Sequence, residues 1–240
     1  MDGHFEIPPV RKRDPDPEWC YSPSRPLELA WPECVLKGFM CVKKVFPFSV
    51  MEKITHGMVE KMTARGRVAA TFEGAVREIP KRIADNHRNI AVRKGRYDMR
   101  LPDYVVENLG IVKLLQPILD KLATIMGTPA PTLRTHNVVF SPVGSEGQDW
   151  HVDDTIRQGK HHRYFTILIH LNSIDDKCGG TEIWSELLQR SDLVRGRPGD
   201  AFVFNGSMMH RGKGNEGRAH RFFYYASFSC RPDVNADALL

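Results

Sequence analysis

RGRPGDAFVFNGSMMHRGKGNEGRAHRFFYYASF, residues 195–228, orders a turn, an apolar strand, a polar loop and an aromatic strand in one stretch. Pro198-Gly199-Asp200 is a turn signal. AFVFN (201–205) and RFFYYASF (221–228) have strand length and the aromatic and β-branched content that suits a pleated, half-buried surface. Two chemically capable residues stand between and beside these strands: His210, and Arg221 eleven positions later. The intervening GKGNEG (212–217) matches the glycine pattern of dinucleotide-binding folds. That pattern needs a helix after it, and here a strand follows, so the segment reads as a flexible turn. GSMMHRGK has one residue too many for a phosphate-binding loop and continues with Gly214 where Ser or Thr is required.

The same texture extends upstream as far as Pro131. TLRTHNVVF (132–140), RYFTILIHLN (163–172) and TEIW (181–184) are short runs bounded by Gly, Pro and Asp, with only a short turn at SELLQR (185–190) to break the pattern. Successive strands without helix-length segments predict an antiparallel barrel or jelly roll. Before Pro131 the period changes. Val50, Ile54, Met58 and Met62 recur every four residues in a helix over 48–65, with Ser49 as N-cap and Gly66 as stop. A second helical pattern runs from Tyr104 to Met126, where Pro117 predicts a kink or two consecutive helices. Between them NHRNIAVRKGRYDMRLP (86–102) reads as an exposed loop or edge strand in preference to a substrate-binding lip.

The chain therefore divides into an irregular Pro-rich arm (1–32) and one domain (33–240). Within that domain, 33–130 is helical support, 131–231 a β core and 232–240 a tail. The fold class is α+β with a mainly β core.

With 41% hydrophobic and 26% charged residues in 240, the composition is that of a soluble globular protein. No run approaches the roughly 18 apolar residues of a membrane span, and the N-terminus lacks a secretory core, so a cytoplasmic location is expected. Five cysteines without a CxxC pair argue for free thiols. A net charge of +5 permits an anionic partner without demanding one, and nucleic-acid binding is not favoured. HExxH and GxSxG are absent, which leaves zincin and serine-hydrolase chemistry without their motifs.

A second polar cluster, GQDWHVDDT (147–155), supplies what His210 needs as partners. Positions i and i+2 of a strand share a face, so His151 and Asp153 can reach one ion while Val152 and Asp154 point away. A jelly roll brings early and late strands side by side, which would complete a triad of His151, Asp153 and His210. Two imidazoles and a carboxylate leave three positions of an octahedral ion open, the arrangement suited to non-haem Fe(II) and O2. The loop RQGKHHRY (157–164) reads as a solvated connection in preference to an anion-attracting lip.

In this order of motifs the chain resembles the Fe(II)- and 2-oxoglutarate-dependent oxygenases, most closely the phytanoyl-CoA hydroxylase-like branch and, at GGTE (179–182), the prolyl 4-hydroxylases. The resemblance covers roughly residues 90–230 and implies a double-stranded β-helix, a cupin-like jelly roll, with N-terminal helices on its outer face. It implies that His151, Asp153 and His210 bind iron and that Arg221 binds the far carboxylate of 2-oxoglutarate, with Arg218 in reserve. A guanidinium suits that role because it stays charged and offers paired donors.

If RYFTILIHLN alternates, Thr166, Leu168 and His170 share a face, and the resemblance makes Thr166, His170 and Asn137 further cosubstrate contacts. The implied reaction hydroxylates an unactivated C–H bond while 2-oxoglutarate is decarboxylated to succinate and CO2. The carboxylate ligand Asp153 favours hydroxylation over halogenation. The substrate would be a small molecule or an acyl or anionic compound. Alternatives are a peptidyl, prolyl-type hydroxylase and a cupin-like metal-binding module without turnover, which leaves Arg221 without a role.

Overall fold

The computed structural model describes residues 20–21, 39–63, 90–93, 95–101, 103–126, 131–153, 164–172, 177–185, 189–194 and 196–229. Most of the expected arm, Gly66, Asp154, the 157–163 loop, the middle of the SELLQR turn (186–188) and the tail lie outside the described residues. The strands are β1 (Cys20–Tyr21), β2 (Phe39–Val42), β3 (Ile90–Arg93), β4 (Arg96–Arg100), β5 (Thr132–Ser141) and β6 (Tyr164–His170). They continue with β7 (Thr181–Ser185), β8 (Arg190–Leu193), β9 (Ala201–Asn205), β10 (His210–Gly212) and β11 (Arg221–Ser229). The helices are α1 (Phe48–Thr63), α2 (Asp103–Asn108) and α3 (Ile111–Met126).

The strands form a large sheet in the order β1-β2-β9-β6-β11-β5-β4-β3 and a small one in the order β10-β7-β8. Apart from the parallel β1–β2 pair, neighbours are antiparallel. This is the two-sheet jelly roll that the strand pattern predicts.

Alternation along the strands sorts side chains between two cores. On β11, Phe222, Tyr224, Ala226 and Phe228 join Ile167, Ile169 and Val203 in a cluster with Met51, Ile54, Ile111, Leu115, Leu119 and Leu122 of the helices. The opposite face carries Phe39, Val139, Leu168, Phe202, Phe204 and Phe223, clustered with Ile183 of the small sheet. The helices therefore cover one face of the large sheet. The other faces the small sheet and encloses the interior.

The helical expectations need two corrections. Ser49 lies inside the first turn of α1, because the Pro47 carbonyl accepts from Val50 N (3.0 Å) and Met51 N (3.2 Å) and so opens the helix itself. The second pattern does divide, but at Gly110, whose φ of 61° is in the left-handed region that glycine adopts without steric cost. The helix α3 continues through Pro117.

Segment 86–102 contributes an edge hairpin, β3–β4, as expected, but it also brings Arg96 into the protein, only 6% exposed. The turn at GKGNEG is pinned, not flexible: the buried Asn215 side chain donates to the carbonyls of Ser141 and Ala219 (both 2.9 Å). Cys41 and Cys178 are buried and outside any disulfide. Among the described residues, no helix is long and apolar enough to cross a membrane.

Candidate metal centre and its interior

His210 opens β10, and His151 pairs with it through an isolated antiparallel bridge. Two backbone bonds make that bridge, His151 N to His210 O (2.9 Å) and His210 N to His151 O (2.8 Å). Asp153 lies in a bend, its N–H donating to Gly206 O (2.9 Å). The convergence of His151 and Asp153 therefore depends on this bend, not on a regular strand. One ligand atom from each of His151, Asp153 and His210 lies within 4.8 Å of the other two.

Each side chain is held in a state that suits coordination. His151 Nδ1 bonds the Asp149 carbonyl and His210 Nδ1 the Met208 carbonyl, both at 2.9 Å. A carbonyl only accepts, so Nδ1 carries a hydrogen in both rings and Nε2 is the nitrogen left to face a metal; on His210 that Nε2 faces the Asp153 carboxylate. Thr166 Oγ1 donates to Asp153 Oδ2 (2.6 Å), while Asp153 Oδ1 lies 3.5 Å from His210 Nε2.

Burial opposes charge on Asp153, yet the hydrogen bonds from His210 and Thr166 and the nearby histidine charges hold its pKa below the usual carboxylate value. Burial likewise opposes protonation of His210, but Asp153 outweighs it and raises the pKa. His151 is lowered, mainly by burial. An anion between two imidazoles is a site with a cation's shape and charge complement. The donor set fits a divalent first-row metal.

A second polar group lies further into the interior. Arg221, the first residue of β11, is fully buried. Its Nη1 donates to Cys178 O (2.8 Å), and its Nη2 to Lys213 O (2.9 Å) and Ser141 Oγ (3.2 Å). Its Nε has no partner. Burial, then the charge of Arg96, lowers its pKa to about 10, so the guanidinium remains charged at neutral pH.

His170 is 1% exposed with neither ring nitrogen bonded, and burial, then Arg221, lowers its pKa to about 4. A buried imidazole with two orphaned nitrogens beside a buried cation fits an acceptor-bearing anion.

No protein-family model matches the chain, and no curated protein is similar to it in sequence. Solved structures do match. One is the non-heme α-ketoglutarate-dependent epimerase SnoN from nogalamycin biosynthesis, at 13% identity over 84% of this chain and 81% of that one, TM-score 0.60. HygX from Streptomyces hygroscopicus, with nickel and 2-oxoglutarate bound, matches at 13% identity over 86% and 87%, TM-score 0.59. A Pseudomonas putida prolyl-4-hydroxylase matches at 14% over 83% and 96%, TM-score 0.54. This chain shares their double-stranded β-helix.

Within that β-helix the sequence-predicted residues separate by position. Thr166, Leu168 and His170 do share the inner face, and the Thr166 hydroxyl donates to Asp153 Oδ2. Asn137 is on the inner face of β5 and donates to Asp98 Oδ1 (2.7 Å) and the Tyr225 hydroxyl (2.9 Å). Arg218 is exposed in the turn before β11, outside the interior.

Several inner-face residues had no sequence signal beyond strand alternation: Asp98, Ser141, Tyr225 and above all Arg96. The Arg96 guanidinium crosses to β10, where a Cβ on Gly212 would stand 2.7 Å from its Nη1 and 2.8 Å from Gln148 Oε1. Its charge reaches both His151 and Arg221. Alternation on β4 would have found it, had the segment been read as a strand with an inner face.

Proposed function

We propose that the protein is an Fe(II)- and 2-oxoglutarate-dependent dioxygenase that hydroxylates a C–H bond of a polar small molecule. The observation that carries this reading is the convergence of His151, Asp153 and His210 at the mouth of an interior whose far side holds buried Arg221 and the unpartnered His170. His151, Asp153 and His210 would hold Fe(II), and Arg221, with His170 and Arg96 nearby, would receive the far carboxylate of 2-oxoglutarate. Bound together, iron and 2-oxoglutarate supply O2 activation coupled to decarboxylation of the cosubstrate to succinate and CO2.

The chain's own contributions follow from its contacts. The Asp149 and Met208 carbonyls set the tautomers of the two histidines, and Thr166 orients the carboxylate between them. Arg221 keeps its charge at neutral pH, and its three bonds to fixed oxygens spare it reorganisation when an anion arrives. Asp153 occupies the ligand position that a halide would need, so hydroxylation is favoured over halogenation.

The polar inner row of Asp98, Asn137 and Tyr225 suits a hydrogen-bonding substrate better than a long acyl chain. Two of the similar structures also carry small-molecule ligands: SnoN with Fe3+, α-ketoglutarate and nogalamycin RO, and HygX with nickel, 2-oxoglutarate and hygromycin B.

The test is Mn(II) binding and succinate formation from 2-oxoglutarate with added Fe(II). Both should be measurable with the purified chain and both should be lost in His151→Ala. A protein that binds neither metal nor 2-oxoglutarate overturns the reading. Metal binding without turnover across a broad substrate panel would favour the non-catalytic module, and turnover only on peptides the peptidyl hydroxylase.

A further inference from the structure

The two histidines stand on chain segments joined by a single bridge, and the outer side of that joint carries a structure of its own. On β10, His210 and Gly212 face the interior, so Arg211 faces out, opposite Glu182 of β7 in the register of the small sheet. Arg211 Nε donates to Glu182 Oε2 (2.8 Å), and its Nη2 lies 2.7 Å from the same oxygen. Ser191 on β8 donates to Glu182 Oε1 (2.9 Å), so the carboxylate is fixed from both sides. The Arg211 guanidinium carbon sits 4.5 Å from the centroid of the Trp150 ring, and Trp150 meets Trp184 edge-on at 6.5 Å.

Trp150 precedes His151, and Arg211 follows His210. Side chains adjacent to both histidines are thus stacked on each other across the joint, with Glu182 and Ser191 holding Arg211 to the small sheet. Beyond the bridge the segments are tied on either side of the histidines, by Gln148 N to Gly212 O (2.7 Å) with Gly212 N to Gln148 Oε1 (2.7 Å), and by Asp153 N to Gly206 O (2.9 Å), and none of these bonds fixes the outer side of the joint. A metal responds to changes of a few tenths of an ångström in the separation of its ligands, and groups that orient ligands without touching the ion carry a measurable share of its affinity.

We propose that Trp150, Arg211 and Glu182 form an external clamp that fixes the spacing of His151 and His210 and so sets the metal affinity of the site. All three are positioning residues, and the inference rests on the triad being a metal site.

Calorimetric titration of the full chain with Mn(II) alone, without cosubstrate, tests it. Trp150→Leu and Arg211→Ala should each weaken Mn(II) binding about tenfold. The double variant should be no weaker than the poorer single, because both remove one contact. Arg211→Lys, which keeps the charge facing Glu182 but loses the planar face over Trp150, should recover part of the loss. The thermal midpoint of the metal-free variants provides the control: an external clamp acting on ligand spacing lowers affinity even in variants as stable as the parent.

Unchanged affinity in both single variants, additive losses in the double, or losses that track the thermal midpoint would each overturn the clamp. If the parent chain itself binds no Mn(II), the metal reading fails first, and the two failures are thereby told apart.

Discussion

His170 shows how much depends on one side chain's surroundings. It is buried with neither ring nitrogen hydrogen-bonded, and burial followed by the charge of Arg221 lowers its pKa to about 4, against 6.5 in the unfolded chain. Between those values the unfolded state binds a proton that the folded state refuses. Stability from this residue is therefore complete above pH 6.5 and is lost as the pH falls toward 4. The expected loss between pH 7 and pH 5 is about 2 kcal/mol. Urea denaturation of the cosubstrate-free protein at the two pH values should show it, and His170→Leu should remove that share of the pH dependence. An unchanged slope in the variant would mean that His170 is not the neutral, enclosed imidazole described.

Elements were more legible in the sequence than the contacts between them, for a physical reason. Strand alternation and turn chemistry are local, so β5, β6, β9 and β11 and the placing of His210 before a turn could be read along the chain. That Arg96 reaches β10, or that the bend at Asp153 hangs from Gly206 O, depends on which strands become neighbours, and no local pattern encodes that. Ser49 failed for a related reason, since the Pro47 carbonyl opens the helix before it, and the division into two helices expected from Pro117 falls seven residues earlier, at left-handed Gly110.

The segment before β7 offers a prediction at this scale. Gly179 has a φ of 72°, and a Cβ there would stand 2.3 Å from the Gly214 carbonyl and 2.6 Å from Arg221 Nη1. Gly179→Ala must therefore strain the backbone and displace the β10–β11 turn together with the guanidinium. A loss of about 2–4 kcal/mol is expected in chemical denaturation, with 2-oxoglutarate affinity falling more than Mn(II) affinity. Gly212→Ala meets only the far ends of Arg96 and Gln148, side chains that can move aside, and should cost much less stability.

At the scale of the whole molecule, the large sheet separates support from chemistry. One face is covered by α1, α2 and α3 over an extensive apolar core, and the other looks across the interior to the small sheet, where the proposed ligands stand. The two faces share a backbone but not side chains, so a defect on the helical side should reach the metal only through unfolding. Leu115 of α3 is fully buried in the helical core. Leu115→Ala leaves a cavity there and should destabilise the fold by about 2–5 kcal/mol. Under conditions where the variant remains folded, its Mn(II) affinity should equal that of the parent. A fall in affinity without loss of folded protein would show that the sheet transmits strain between its faces. The helices would then belong to the site as well as to the scaffold.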